Sequence, residues 1–503
     1  MTSLGLARAL SEGVGGDNEG AFERSMVKVG EYLTTLKTVL IFVADSRNFG
    51  HQSSSINILF NLVEMGFPGD FIVVYQNREA LNKLAILLPM NAGSTDPITV
   101  PIGGRDVNIR FASLASKPEG DLGLTGGFDY PVGGLADLQC PAVVELQPYM
   151  WQEGGSQNVV QIREPAQVFS LPDVLHMPAF NDLGFYLEDP QLDRRIVDMF
   201  AAMPRWQAKI EVLQAVLELY GDEKNFLLCP AYGVNTRSLH PVVILFNLLC
   251  GITDVQSLEY VDDKAVVLVF SPEEKFGSET INYATLLEFL ATGHWRGGNP
   301  FNFMPKPECA EYLTRSEMDR RVRVYSEAAP SRDGVRAAFE ELEDDGVLVV
   351  QVGPIPSILF NYIYSVANLP FVFEGQNTAV TALNLGRPYL HLTVGGSDVD
   401  VYPSLPVFPP RGVVPASQIA GMIARKLTSY PCMWWPDPDQ NKNPNNVLGA
   451  FAEMALTGEG YDPDERLTVA YFRSLRRFYH DPKNDKLRLA LGFLVDQLER
   501  IGQ

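Results

Sequence analysis

The sequence has few cysteines and does not pair them. Cys140, Cys229, Cys250, Cys309 and Cys432 are five in number, an odd count, and no C-x-x-C occurs. That argues against a disulfide framework or a structural zinc site and suits a reducing compartment. The six histidines are dispersed without an H-E-x-x-H pair, so no bound metal is expected. No stretch approaches the roughly 20 apolar residues that cross a bilayer. The opening MTSLGLARALSEGVGGDNEG has no basic segment running into an apolar one, so no signal peptide is expected. These absences predict a cytoplasmic protein, although a chain exported without such a signal would share them. Positive charge is also scarce: 40 basic residues face 61 acidic ones, for a net charge of −21. Such a surface repels nucleic-acid phosphates and gives no overall attraction to anionic lipid. A local basic patch on a small anion is still allowed.

What is present reads as globular. The chain has 503 residues, 46% hydrophobic and 20% charged, with no low-complexity tract. Chains of this length divide into two or three domains of roughly 100–200 residues each. Thr38–Ala44 (TVLIFVA) is a short apolar, β-branched run, the pattern of a buried strand. The polar loop DSRNFGHQSSS follows, then an apolar-periodic helix over Ile56–Met65 that stops at Gly66, then the strand Phe71–Tyr75. Strand, helix, strand at this spacing is a βαβ unit and predicts a parallel sheet. Residues 95–190 are richer in Gly, Pro and short strand-like runs such as Val107–Phe111 and Ala142–Leu146, and residues 190–220 read as helical.

The second half repeats the design. Strands are expected at Asn225–Cys229, Ala265–Phe270, Gly346–Val352, Phe371–Phe373 and Pro388–Leu392, with helices over Val242–Leu249, Ser357–Val366 and Thr378–Leu385. The tetrapeptide ILFN recurs at 58–61, 244–247 and 358–361. It fits either coincidence among apolar helix faces or two domains of similar βαβ design. Three amphipathic helices close the chain, around Val447–Ala455, Arg466–Arg477 and Lys486–Ile501.

The most informative stretch is Leu369–Asp400 (LPFVFEGQNTAVTALNLGRPYLHLTVGGSDVD). A strand ends at Phe373, and Gly375-Gln376-Asn377-Thr378 opens a helix. Exposed N–H groups at a helix start, with the helix dipole, suit a phosphate. The simpler reading is a strand–loop–helix capped by Asn377 or Thr378. The segment resembles the donor motif of the GT-B nucleotide-sugar glycosyltransferases, a pattern of Gly-x-Asn-Thr, then Ala-Leu, Gly-x-Pro and a closing acid. Gly375, Asn377, Thr378, Ala382, Leu383, Gly386 and Pro388 fall in step, and Asp398 or Asp400 stands near the closing acid that contacts sugar hydroxyls in the family. Two positions depart from it. Glu374 stands where many members carry a phosphate-contacting His, and Thr381 where many carry a ribose-binding Glu. The retaining-type pair of acids is also absent.

The N-terminal part resembles the same family again. Many inverting members follow their first strand with Gly-His and a helix; here Gly50-His51 leads into the helix that stops at Gly66. In the family that His is the general base toward an acceptor hydroxyl, a role an imidazole suits near neutral pH. Asp45 is the candidate acid to orient it. The alternative is a histidine that hydrogen-bonds at a helix start, or a serine run that caps it. Two further loops suit a diphosphate: Gly233-Val234-Asn235-Thr236-Arg237, where Arg237 would balance charge, and Gly353-Pro354. The stretch His294–Asn299 reads as a surface turn and Arg473–Arg477 as a solvated helix face.

The resemblance implies an α/β fold of two Rossmann-like domains with parallel sheets facing a central cleft and C-terminal helices packing across. The expected layout is an acceptor-side domain over 1–200, a donor-binding domain over 201–440 and helices over 441–503. It implies a glycosyltransferase that needs no metal, with a nucleotide diphosphate sugar as donor substrate. Glu374, Gly375, Gln376, Asn377 and Thr378, with Gly233, Asn235, Thr236, Arg237, Gly353 and Asp398 or Asp400, would hold that donor. Two alternatives share the architecture: a sugar-nucleotide epimerase, and a catalytically silent binding or assembly protein, which Glu374 and Thr381 motivate.

Overall fold

The computed structural model describes residues 17–45, 49–127, 135, 137–147, 158–175, 183–222, 226–234, 241–257, 263–270, 281–293, 304–305, 309–327, 329–373, 376–391, 433–434 and 467–502. The protein is a mixed α/β structure with two large sheets built around parallel strands.

The first sheet holds β1 (Thr38–Val43), β2 (Asp70–Tyr75), β3 (Ile98–Ile102), β4 (Arg105–Ser113), β5 (Leu122–Thr125), β6 (Ala142–Glu145), β7 (Val159–Ile162) and β8 (Gln167–Ser170). Their order is β3-β4-β2-β1-β5-β6-β7-β8. The strands from β4 to β6 are parallel, and β3, β7 and β8 join as antiparallel edges. The second sheet holds β9 (Phe226–Ala231), β10 (Lys264–Val269), β12 (Val322–Tyr325), β13 (Val347–Gln351), β14 (Phe371–Phe373) and β15 (Tyr389–His391) in the order β12-β13-β10-β9-β14-β15, all parallel. A two-residue ladder pairs β11 (Met304–Pro305) with β16 (Met433–Trp434). Counted from its own first strand, each sheet runs 3-4-2-1-5-6, and the first sheet adds two strands beyond.

The helices of eight residues or more, among the described residues, are α1 (Asp17–Thr35), α2 (Gly50–Glu64), α3 (Arg78–Leu87), α4 (Arg194–Ala201), α5 (Pro204–Asp222), α6 (Pro241–Ser257), α7 (Tyr283–Thr292), α8 (Cys309–Ser316), α9 (Arg332–Glu340), α10 (Ser357–Val366), α11 (Gln376–Leu385), α12 (Leu467–Tyr479) and α13 (Lys486–Gly502). They cover the sheets, which is why the central strands are apolar throughout rather than alternating. In β1, Val39, Ile41 and Val43 enter one apolar cluster while Leu40 and Phe42 enter another, as the two-residue strand repeat requires. The larger cluster continues into the second sheet and the last helices. At the end of the chain α12 packs on α11 and α13 packs on α1. Lys28 of α1 reaches Glu499 at 2.7 Å and Asp496 at 3.4 Å.

One helix starts earlier than expected. The apolar periodicity begins at Ile56, but α2 begins at Gly50. Its first turns are polar and buried, and a buried polar group is tolerated when it is bonded. Gln52 Nε2 donates to Ala44 O at 2.9 Å, and Ser55 Oγ accepts from Gly126 N at 2.9 Å. The serines are therefore a packed helix face and not a cap; Phe49 is the N-cap and makes no side-chain capping bond. The helix expected over Val447–Ala455 lies outside the described residues.

Candidate functional site

In an open parallel sheet, loops leave neighbouring strands in opposite directions where the strand order reverses, and a crevice opens at the carboxyl ends. The second sheet reverses between β9 and β14. There Tyr232 N, just past β9, donates to Val372 O at 2.8 Å, so the loops that follow β9 and β14 start side by side. The neighbouring strand ends are tied in the same way. Phe270 N donates to Ala231 O at 2.8 Å, and Gly353 N donates to Val269 O at 3.1 Å. Gly233 (φ 73°) and Gly353 (φ 70°) both turn through the left-handed region, where a residue without Cβ is favoured. An aromatic group backs this edge: Phe360 of α10 meets Tyr232 (ring centroids 5.7 Å) and Phe270 (5.6 Å) and stacks on Tyr364 (4.3 Å).

Of the proposed donor residues, Gly233 and Gly353 thus lie along one edge with the start of α11. That helix begins at Gln376 and Asn377, of which the helical backbone is described, and Thr378 is buried in its first turn. Asn235, Thr236, Arg237, Glu374, Gly375, Asp398 and Asp400 lie outside the described residues. Gly386 closes α11 at φ 60°, and a Cβ there would stand 2.4 Å from Arg476 Cβ and 2.9 Å from Phe472 O. The Gly that aligns with the family's Gly-x-Pro is therefore also demanded by the packing of α12. Arg476 in that helix pairs with Asp189 at 2.7 Å, so the basic run Arg473–Arg477 gives at least one cation to the fold. The stretch His294–Asn299 lies outside the described residues.

The other proposed pair sits at the switch point of the first sheet, between β1 and β5. His51 is the second residue of α2 and is only 7% exposed. Asp45 follows β1. Its carboxylate accepts from Lys83 Nζ at 3.0 Å and from Asn77 Nδ2 at 2.9 Å, and its backbone N–H donates to Gln76 Oε1 at 2.8 Å. Lys83 is buried, and Asp45 is the nearer of its two counter-charges, Glu79 standing at 3.9 Å. Across from them Gly126 at the end of β5 lies against α2 so closely that a Cβ would fall 2.4 Å from Ser54 C and Ser55 N. The Gly126-Gly127 pair straight after a strand-like LGLT was the available signal for this approach.

The two regions are not remote from each other. Helices α2 and α11, which carry the two family-like motifs, pack together. Lys83 and the pair Asn61 and Asn384, both on the packed faces, are structural contributors that apolar periodicity does not reveal. Cys140, Cys229 and Cys250 are buried, and burial pushes the Cys140 thiol up to about 11 and the Cys229 thiol further still. Among the described residues no group of three or more His, Cys, Asp or Glu is placed to hold a metal ion. Among them, too, no helix is long and apolar enough to cross a membrane.

No protein-family model matches the chain, and no curated protein matches it.

Proposed function

We propose that the chain is a nucleotide-sugar glycosyltransferase of the GT-B kind, with two Rossmann-like halves and a donor diphosphate held where the loops after β9 and β14 meet. The observation that supports it is the bond from Tyr232 N to Val372 O at 2.8 Å: the Gly233 loop and the start of α11 leave the same switch point together. Backbone N–H groups at such a point, with the positive end of a ten-residue helix, favour a diphosphate without a metal. His51 lies at the start of the helix that packs on α11, on the side expected for the acceptor. There it would accept the proton of the attacking hydroxyl.

The test is a thermal-shift screen over nucleoside diphosphates and their sugars. A ligand that binds only the folded chain stabilises it by about 2.7 kcal/mol at a hundred times its Kd. A positive ligand is then assayed for transfer with wild type and His51→Ala. The variant should bind the nucleotide as wild type does and transfer nothing; unchanged turnover removes His51 from the mechanism. Conversion of the sugar nucleotide without an acceptor would point to an epimerase.

A second reading, a silent binding or assembly protein, is favoured by the 7% exposure of His51 and by the engagement of both Asp45 oxygens with Lys83 and Asn77. Failure of every sugar nucleotide to raise the melting temperature would decide for it.

A further inference from the structure

Residues 183–187 (Leu-Gly-Phe-Tyr-Leu), which lie in the chain between the strands of the first sheet and those of the second, belong to no helix or strand. The segment is buried from Leu183 to Tyr186. A buried backbone must find partners, and here elements from three parts of the chain supply them. Gly184 O accepts from Lys486 N at 3.1 Å, and Tyr186 N donates to Asp485 Oδ1 at 2.9 Å, both at the start of α13. Tyr186 O accepts from Asn61 Nδ2 of α2 at 2.8 Å. Phe185 O accepts from Asn384 Nδ2 of α11 at 2.9 Å, and Leu187 N donates to Asn384 Oδ1 at 3.3 Å. Both asparagines are buried, at 2% exposure each.

Asn61 and Asn384 therefore grip adjacent peptide units of one strap from two helices that also pack on each other. Apolar ridges alone allow packed helices to slide by small steps, whereas directional bonds to a shared backbone allow discrete positions. Space reinforces the fit. A Cβ on Gly184 would lie 3.3 Å from Val380 Cγ1 of α11 and 3.6 Å from Tyr479 Cδ1 of α12.

We propose that this strap couples the two sheets mechanically, and that Asn61 and Asn384 are positioning residues that register α2 against α11 through it. The coupling stands without the transferase reading. Its chemical consequence, a fixed separation between His51 and the start of α11, rests on that reading.

Amide hydrogen exchange on the full-length chain tests the coupling, because a local loosening reports only where it acts. Asn61→Ala is expected to speed exchange in 376–385 as well as in 50–64, and Asn384→Ala is expected to do the same in the opposite direction. Asn61→Leu keeps about the same volume without the donor and should match Asn61→Ala. In urea each Ala variant lowers the folded-to-unfolded ratio about tenfold by leaving a buried carbonyl unbonded. The double variant departs from the product of the two losses by about threefold or more, because both act on one element. If the double variant does not fold, Gly184→Ala provides the same reading, with faster exchange in both helices. Exchange confined to the mutated helix, with multiplicative losses, overturns the proposal. Nucleotide binding by the same preparations separates the two ideas: reciprocal exchange without any bound nucleotide ends only the transferase reading, and binding with strictly local exchange ends only the coupling.

Discussion

Gly126 offers the sharpest test of how α2 is seated. The backbone angle there is an ordinary one, so the need for glycine is spatial. A methyl group at Gly126 would stand 2.4 Å from Ser54 C and Ser55 N and 2.7 Å from Ser54 Cβ. Comfortable carbon contacts begin at about 3.5 Å, so β5 and α2 would have to part by about 1 Å. The obstructing atoms are helix backbone, which cannot rotate aside as a side chain can. Overpacking of this sort costs about 1–3 kcal/mol. The parting would also stretch the bond from Gly126 N to Ser55 Oγ, now 2.9 Å, which is buried. A bond of that kind contributes about 0.5–1.5 kcal/mol net. The expected loss for Gly126→Ala is therefore about 2–4 kcal/mol.

Urea denaturation measures that loss directly, provided the slope m stays at its wild-type value. Two companion variants calibrate it. Gly123→Ala meets Cys140 Sγ at 3.0 Å, Leu138 Cδ1 at 3.2 Å and Val143 Cγ2 at 3.3 Å, all side-chain atoms that can yield, and should cost less. Gly30→Ala meets nothing within 4 Å inside α1. It should gain about 0.5–1 kcal/mol from lower chain entropy in the unfolded state and better helix propensity. A Gly126→Ala variant within about 0.5 kcal/mol of wild type, or no worse than Gly123→Ala, would refute the close seating of α2 on β5.

Three other outcomes follow from charges and thiols. Burial raises the Asp485 carboxyl above its ordinary value despite the Arg488 guanidinium and three backbone donors. The folded state then holds the proton more tightly than the unfolded one, so this group's contribution is greatest below its unfolded pKa of about 3.8 and declines as pH rises through the folded value. Measured by denaturation from pH 3 upward, wild type should lose ground relative to Asp485→Asn over that acid range; a flat or opposite difference rejects the assignment. Asp45→Asn removes the nearer of the two carboxylates beside buried Lys83, leaving Glu79 at 3.9 Å, and should cost about 1–3 kcal/mol, less than a fully buried pair because Asp45 is 30% exposed. A cost near zero in urea would mean that the pair is solvated. Iodoacetamide at pH 8 should leave Cys140, Cys229 and Cys250 unmodified in the native chain and label them once unfolded; native labelling of Cys140 would contradict its burial.

The parallel core was legible because its strands announce themselves. TVLIFVA, AVVLVF and GVLVVQV are apolar on both faces, and the structure places β1, β10 and β13 there within a residue or two. The helix over Ser357–Val366 and the strand Phe371–Phe373 coincide with their expected spans. What was not legible is polar. Gln52, Ser54, Ser55, Asn57 and Asn61 look like surface residues in a pattern that scores only apolarity, yet all are buried on α2. Their burial is decided by partners distant in sequence, such as Gly126 and Tyr186, which local spacing does not encode. The Lys83–Asp45 pair has the same character: a lysine in REALNKLAIL reads as solvated until β1 delivers a carboxylate to it. Of the antiparallel hairpin of β3 and β4 only Val107–Phe111 was visible, as a strand-like run inside β4, while the edge strand β3 was not singled out.

The comparison of the two sheets also limits what the ILFN echo means. Its copies fall in α2, α6 and α10, behind β1, β9 and β13, and the Leu at 59, 245 and 359 is buried in each. The first two follow the first strand of the shared order and the third does not, so position in the order is not what the copies share. The asparagines differ as well: Asn61 is buried on the strap, while Asn361 is partly exposed. The echo therefore records a packing rule, one Leu pressed onto a parallel sheet, and not a repeated site. The stronger kinship is the strand order itself. The sheets agree in the strands that flank each switch point and part company at the edges, where β3 runs antiparallel to β4 but β12 runs parallel to β13, and where only the first sheet adds β7 and β8. Edges face the strongest pressure to be covered or blunted and vary accordingly. The strands beside a switch point must keep their carboxyl ends level for the loops that leave them to meet, and these are the strands whose order and parallel direction both sheets share.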